Sequence, residues 1–317
     1  MKTRKSFFPY LVYFALFVPA ICLFRGSMIP SAQVAPTQSS EAPEFQYEIS
    51  VNMDGVMQTM ELEEYLVGVV LAEMPAEFEM EALKAQAVVA RTFAQKALHT
   101  GGKHGDGSIC TTPSCCQGYL SEEEYLDRKG SQEGLDKIRT SVASTAGMVL
   151  TYQGELIEAT YFSSSGGYTE DAAAVWGSSY PYLVAKMSPE ALGENSEDTK
   201  AFSQAYLEDL LHIEMGDDPQ QWFTDWKKTR GGGVESVVIG DRKFTGTELR
   251  KKLELRSTLF YVTQEHGVIF FHTKGFGHRV GMSQFGADTL AVSGKTCEEI
   301  LTYYYTGTKM EKISDLY

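Results

Sequence analysis

The 317-residue chain is short of basic charge. It has 28 Lys and Arg against 42 Asp and Glu, a formal net charge of −14. Lys2, Arg4, Lys5 and Arg25 stand ahead of any acid, so the rest of the chain is more acidic still. Nucleic-acid binding demands a basic face, and this composition argues against it. There is no internal repeat and no regular βαβ rhythm, which points to an α+β fold. Ser163-Ser-Ser-Gly-Gly167 tempts one towards a serine nucleophile, but the Gly-x-Ser-x-Gly elbow is missing, and a polar turn is the simpler reading. What is present suits a folded protein: 43% hydrophobic and 12% aromatic residues, in a length that allows one large or two modest domains.

Met1 to Lys5 is basic and Phe7 to Phe24 is apolar throughout. Such a run just crosses a bilayer, and its positive flank stays inside. Residues 1–25 are therefore expected to be a cytoplasmic tip and a single transmembrane helix, with the body outside the cytoplasm. A cleaved signal peptide is the rival. Against it, the apolar run is long and Ser31 to Val34 offers no clean small-x-small site. Cys22 is a poor lipid-attachment cysteine, because Ile21 precedes it. Residues 26–44, rich in Ser, Ala, Pro and Gln, read as a flexible linker.

In the body, residues 45–317, alternation from Phe45 to Met53 predicts a half-buried strand, and Asp54-Gly55 a hairpin turn. Helices are expected over 62–73, 80–99, 135–144 and 296–305. Strands are expected over 148–152 and 155–162 around Gln153-Gly154, on both sides of Gly240-Asp241, and over 267–272. The stretch 188–231 has a helical pattern, with Trp222 and Trp226 spaced for one helix face. Residues 188–265 are expected to form a second lobe of a body of helices and antiparallel strands around a central cleft.

Glu73 ends the first helix. It follows Leu66 by seven residues and Val69 by four, which places it on their apolar face. Met74-Pro75 then stops the helix. An acid presented at a helix end against apolar side chains keeps its proton longer than a solvated one, the setting of a general acid. No second carboxylate stands out beside it. Glu77, Glu79 and Glu81 crowd the start of the next helix, where negative charge complements the dipole.

His104, Cys110, Cys115 and Cys116 form a second cluster in a glycine-rich loop. One imidazole and three thiolates make a closed tetrahedral zinc set of the structural type. A disulfide is the other reading, although three cysteines leave one thiol over. Cys297, alone on a helix, reads as an apolar filler.

Several separate motifs resemble the stage II sporulation protein D family of peptidoglycan lytic transglycosylases, from about Phe45 to the C-terminus. They are Glu73-Met-Pro-Ala76, the run KAQAVVARTF over 84–93, Ser163 to Gly167 followed by Thr169-Glu170 and Trp176-Gly177, and GFGHRVGMSQ over 275–284. The resemblance implies that Glu73 is the catalytic acid/base. It implies substrate or active-site contacts from Gln86, Arg91, Tyr161, Ser164, Ser165, Gly166, His278, Ser283 and Gln284, with His278 orienting Glu73 or meeting substrate. Tyr161 and Trp176 offer faces to sugar rings, with core packing as the alternative. Arg279 stands where other members often have Gly. Some clostridial members bind zinc through a loop at this place, which implies one Zn²⁺ on His104, Cys110, Cys115 and Cys116. The implied activity cleaves MurNAc–GlcNAc bonds in peptide-stripped glycan and leaves 1,6-anhydro-MurNAc ends, during engulfment of the forespore. The implied partners are the stage II sporulation proteins M and P, the latter an amidase that strips stem peptides. Two other classes stay open: a non-catalytic glycan-binding scaffold, and a zinc-dependent cell-wall hydrolase.

Overall fold

A computed structural model describes residues 48–190 and 196–316. The expected anchor, the linker, Phe45 and Tyr47 lie outside the described residues. Among the described residues, no helix is long and apolar enough to cross a membrane.

Strands β1 (Glu48–Met53) and β2 (Val56–Glu61) form an antiparallel hairpin. Asp54 and Gly55 turn it with φ of 52° and 91°, the left-handed pair that matches strand twist. β2 runs straight into α1 (Leu62–Glu73). Leu66, Val69 and Val70 are fully buried, each contributing about 1.5–3 kcal/mol by leaving water. Met74, ahead of Pro75, is extended at φ −131° and ψ 138°, and the helix ends there as expected.

Helix α2 (Met80–Thr100) is the axis of the body. Ala82, Ala85, Ala87, Ala90 and Ala94 are fully buried. Side chains this small let neighbouring elements approach the α2 backbone. Strand β3 (Ile109–Cys110) then pairs in parallel with β1, Asn52 opposite Cys110. Helix α3 (Glu122–Asp127) is followed by α4 (Gln132–Ala143). α4 begins earlier than its apolar pattern suggests, because Ser131 caps it by accepting from the Gly134 N–H.

Strands β4 (Met148–Tyr152) and β5 (Glu155–Leu156) make the expected hairpin. The single strand expected over 155–162 does not form. Ile157 and Ala159 are buried in the body core and lead the chain away. Its end returns as β6 (Tyr161–Phe162) in another sheet, in parallel with Met282–Ser283. α5 (Ala172–Trp176) follows.

A second core gathers Leu207, Trp222, Phe244, Ile269 and Phe271, so it runs past residue 265. Its elements are β7 (Glu197–Ser203), α6 (Gln204–Leu211), β8 (Phe223–Lys228), β9 (Val234–Ile239), β10 (Arg242–Thr245), α7 (Gly246–Lys252), β11 (Phe260–Glu265) and β12 (Val268–Lys274). They form two antiparallel sheets, β11-β12-β7 and β10-β9-β8. The helical reading of 188–231 is thus corrected: among its described residues only α6 and a short 3₁₀ turn are helical, and Trp226 lies on β8. A spacing of four satisfies helix and strand periods alike, so the two tryptophans did not discriminate.

The chain closes the body with β13 (Met282–Ser283), α8 (Gln284–Val292), α9 (Cys297–Tyr304) and β14 (Lys309–Lys312), the last antiparallel to β4. α2 packs against α1, α4, α8, α9 and β4. Cys297 is buried, and burial pushes its thiol up to about 12. The architecture is α+β. Two parallel strand pairings, β1 with β3 and β6 with β13, involve candidate site residues: Cys110 on β3, Tyr161 on β6 and Ser283 on β13.

Candidate active site

Glu73 is the last residue of α1, half-buried at the point where Met74 turns the chain away. Its Oε1 accepts from the Gly118 N–H at 2.9 Å, and its Oε2 from Gln284 Nε2 at 3.3 Å. Gln284 opens α8 and also lies 3.5 Å from Gln86 Oε1 on α2. Gln86 is fully buried, and its Nε2 has no hydrogen-bond partner among the described residues. Gln86 and Gln284 are therefore both brought to Glu73, one in line behind the other. The apolar face expected around Glu73 belongs to its helix, whereas its oxygens face amides.

Tyr161 joins this group. Gln117 Nε2 donates to the Tyr161 hydroxyl at 3.2 Å, and the Tyr65 hydroxyl donates to Gln117 Oε1 at 3.3 Å. Burial, then the negative charge of Glu73 beside it, pushes the Tyr161 phenol well above its ordinary range. Tyr161 stays a neutral donor at any physiological pH.

A side chain at Gly118 would crowd the Glu73 carboxylate. A Cβ built there would stand 3.0 Å from Glu73 Oε1 and 3.4 Å from Ala72 Cβ. If Glu73 acts as a proton donor, Gly118→Ala is expected to push the carboxylate off its amide and lower kcat about tenfold, the worth of one hydrogen bond to a charged group. Steady-state kinetics with unchanged melting would register it; an unaltered kcat would show that this amide does not matter.

His278 packs against aromatic rings. Its ring centroid lies 5.7 Å from Phe162 and 5.2 Å from Trp176. Nδ1 accepts from the Val280 N–H at 3.1 Å, and no hydrogen bond to Glu73 is seen among the described residues. It holds the wall that presents Trp176, which is 43% exposed. Burial, then the Arg250 charge, brings His278 down to about 4. The unfolded chain therefore binds more protons than the native one between about pH 6.5 and 4. Stability should fall on acidification through that window, by up to about 3 kcal/mol from this group. Urea midpoints for the native protein and His278→Gln should converge as pH falls; parallel curves would refute it.

The Ser163 to Gly167 loop meets an internal carboxylate that the sequence did not announce. Glu190 accepts from Ser164 Oγ at 2.8 Å, Ser165 N–H at 2.7 Å, Gly166 N–H at 3.3 Å and Ser188 Oγ at 3.3 Å, and from Ser283 Oγ. The donors expected for sugar, Ser164, Ser165, Gly166 and Ser283, are thus engaged with Glu190. Ser283 also caps α8 through the Gly286 N–H, which ties Glu190 to the helix that presents Gln284. On the other side of the loop, Arg279 donates to the Ser165, Tyr168 and Gly231 carbonyls at 2.8 Å each and to Glu170 at 3.1 Å. Both members of that ion pair are fully buried. Arg279 is therefore a brace between the loop and the Gly231 segment.

Arg91 is not brought to Glu73. It is fully buried, and its guanidinium forks onto Glu63 at 2.8 and 2.5 Å and reaches the Val142 and Met148 carbonyls. The substrate contact expected of it is corrected: it binds α1 to the end of α4 and the start of β4.

His104, Cys110, Cys115 and Cys116 converge, their ligand atoms all within 4.8 Å of one another. Cys116 Sγ lies 3.4 Å from His104 Nε2, and Cys115 Sγ lies 3.9 Å from both. A tetrahedron with metal–sulfur arms of about 2.3 Å has edges of about 3.8 Å, so the donors fit a four-coordinate ion. All three thiols are free. Burial raises Cys110, but the Thr112 N–H and hydrogen bonds with its cluster neighbours outweigh it and bring the thiol down to about 6. Burial and the nearby Cys110 charge push Cys116 up to about 12.

The cluster is joined to Glu73 by covalent chain. Gln117 and Gly118 follow Cys116 directly. Tyr119 then stacks on Tyr65, ring centroids 5.9 Å apart, and covers Gly68, where a Cβ would stand 2.2 Å from the Tyr119 ring. Gln117, Gly118 and Glu190 are the site residues that sequence reasoning missed. They sit in loops without periodicity, and only the neighbourhood of the cysteines hinted at the first two.

A family model described as stage II sporulation protein matches residues 52–152. Stage II sporulation protein D of Bacillus amyloliquefaciens is 39% identical over 262 residues, covering 81% of this chain and 76% of its own length. The protein of the same name from Bacillus subtilis (strain 168) shows the same identity and coverage. A Bacillus subtilis protein named amidase enhancer is 30% identical over 302 aligned positions, covering 77% of this chain and 40% of its own.

Proposed function

Because the chain belongs to the stage II sporulation protein D family, a sporulation role follows, and we propose that it acts as a peptidoglycan lytic transglycosylase with Glu73 as its acid and base. The observation that carries this reading is that Glu73 is held by amide donors beside a phenol and shares no hydrogen bond with a second acid among the described residues, while Glu77, the other carboxylate on the same cavity, is exposed and has no such donors among the described residues. Hydrolysis by the usual route wants a second carboxylate to activate water. Here the protonated Glu73 gives its proton to the oxygen bridging MurNAc and GlcNAc, and the C1–O bond breaks. The 6-hydroxyl of the same MurNAc attacks C1 and returns its proton to Glu73. Gly118 and Gln284 hold the carboxylate in place between the two transfers, and Tyr161 stands ready to donate to an oxygen that gathers charge.

On this reading the substrate is the glycan strand stripped of stem peptides, and the body lies outside the cytoplasm on an N-terminal anchor. The stage II sporulation proteins M and P are the proposed partners, and forespore engulfment the proposed setting. One Zn²⁺ would be held by His104, Cys110, Cys115 and Cys116. All four positions of that set are protein ligands, so the ion would fasten the loop and leave no place for water. Mass spectrometry of products from peptide-free glycan tests the chemistry. Anhydro-MurNAc ends are expected; reducing ends would mean hydrolysis, and intact strands that nevertheless bind would favour a scaffold.

A further inference from the structure

The cleft has a second half that no expectation assigned. A cavity of about 480 Å³ opens beside Glu73, lined by Glu73, Glu77, Leu120, Tyr125, Arg128 and Lys129 among others. Arg128 and Lys129 are exposed, and neither has an ion pair among the described residues. They are free cations at the mouth of a cleft in a chain of net charge −14. An anionic polymer approaching such a body is repelled unless cations stand where it docks.

The backbone says that the Lys129 position is held at a cost. The Lys129 N–H bonds the Leu126 carbonyl and the Gly130 N–H the Tyr125 carbonyl, so α3 ends in a Schellman motif. Its left-handed position is normally glycine. Here it is Lys129, at φ 70°. The glycine comes one residue later, where a Cβ on Gly130 would stand 2.3 Å from the Tyr125 ring. The turn thus carries a side chain where it would be more stable without one. Strain retained at a cleft motivates a functional reading.

We propose that Arg128 and Lys129 form an anionic subsite that receives the free lactyl carboxylate of a muramoyl residue next to the bond cut by Glu73. This rests on the glycan reading above and deepens it. The Tyr125 and Leu120 side chains give the sugar ring an apolar floor, while the two cations supply the charge. A stem peptide joined to the lactyl group removes that carboxylate, so the subsite selects stripped strands.

The test is binding to the Glu73→Gln protein, which needs no cleavage. Three ligands are compared at low salt: a peptide-free muramoyl oligosaccharide, the same oligosaccharide with its carboxyls converted to methylamides, and a peptide-bearing strand. The free-carboxylate form should bind about tenfold tighter than the methylamide, or about threefold per cation, as for exposed charge pairs. The preference should shrink in high salt. Adding Arg128→Gln and Lys129→Gly should bring the two ligands level. Lys129→Gly alone should lose about threefold of the preference, while its melting temperature holds or rises. Equal affinity for both forms in the parent, or a preference that survives the double change, overturns the proposal. Tight binding of the peptide-bearing strand that depends on the two cations also overturns the lactyl assignment, because stem carboxylates would then be the ligand. If native protein cleaves no glycan, the transglycosylase reading fails while the binding comparison still decides the subsite.

Discussion

Glu73→Gln is expected to abolish anhydro-MurNAc formation, with kcat lower by at least about 10³ while glycan binding persists. General acid or base catalysis contributes about 10²–10⁴ per role, and on the proposed mechanism one carboxyl plays both roles. Glutamine has nearly the same shape but neither gives nor takes the proton. Its effect on folding should be small and of known sign. The amide oxygen can accept from the Gly118 N–H, which leaves its NH₂ facing Gln284 Nε2, a donor against a donor. Losing one partially buried hydrogen bond costs about 1 kcal/mol, so the melting temperature should drop by only a few degrees. Product analysis beside a melting curve separates loss of chemistry from loss of fold. If the variant turned over glycan at the native rate, Glu73 would not be the acid. If neither protein changed the strands, the scaffold reading would gain.

The region around Glu73 was legible in the sequence because three independent signals agreed there. Apolar spacing gave α1, the Met74-Pro75 step gave its end, and the alanine-rich stripe gave α2 as a closely packed axis. The cysteine loop was legible through chemistry, since four soft ligands within thirteen residues have few other uses. The second core was legible only in part: the strands on both sides of Gly240-Asp241 and the one near 267–272 were read, whereas β7 and β8 have no buried position to give an apolar alternation, and Trp222 with Trp226 fits a helix as well as a strand. Arg91 shows a different failure. A motif marks a residue as needed without saying where its charge goes, and here it goes to Glu63. Glu190 lay beyond reach, because its partners are gathered from residues 164–166, 188 and 283 by pairings such as β6 with β13 that local patterns do not encode.

Those long-range pairings share a consequence. The Ser163 to Gly167 loop is held on its carbonyl side by Arg279 and on its N–H side by Glu190. Arg279 is buried against Glu170, which also accepts from Thr229 Oγ1 at 2.7 Å and Gly233 N–H at 3.1 Å. Arg279 therefore has a structural role in this chain. It ties the loop to a buried charge pair, and the glycines at 231 and 233 make room for it. A Cβ on Gly233 would stand 2.4 Å from Glu170 Oε1 and 3.0 Å from Arg279 Nη1.

Stripping the proposed zinc is expected to cost the protein its activity without unfolding its core. Protein purified without chelator should carry about one equivalent of Zn²⁺. Its removal should destabilise by about 3 kcal/mol, comparable to opening a cross-link over a loop of this length. It should lower kcat about 10²-fold, as expected when two oriented donors lose their places. The reason is the chain order. Gln117 and Gly118 follow Cys116 with no residue between, and they deliver the N–H that holds Glu73 and the amide that holds Tyr161. Tyr119 on Gly68, with the Leu120 N–H on the Gly68 carbonyl at 3.0 Å, keeps the far end of the loop docked on α1. The near end has only the short β1–β3 pairing and the Gln117 side-chain hydrogen bonds besides the cluster. α1, α2, α4 and α9 bury their own apolar faces and should persist, so far-ultraviolet dichroism should barely change. Cys116→Ser should reproduce the loss, and added zinc should restore the stripped native protein but not the variant. A catalytic zinc would leave a different trace: chemistry lost with melting unchanged. Metal-free protein that cleaves glycan at the full rate would remove the ion from this site, and the amide on Glu73 would then owe its position to Tyr119 and Tyr65.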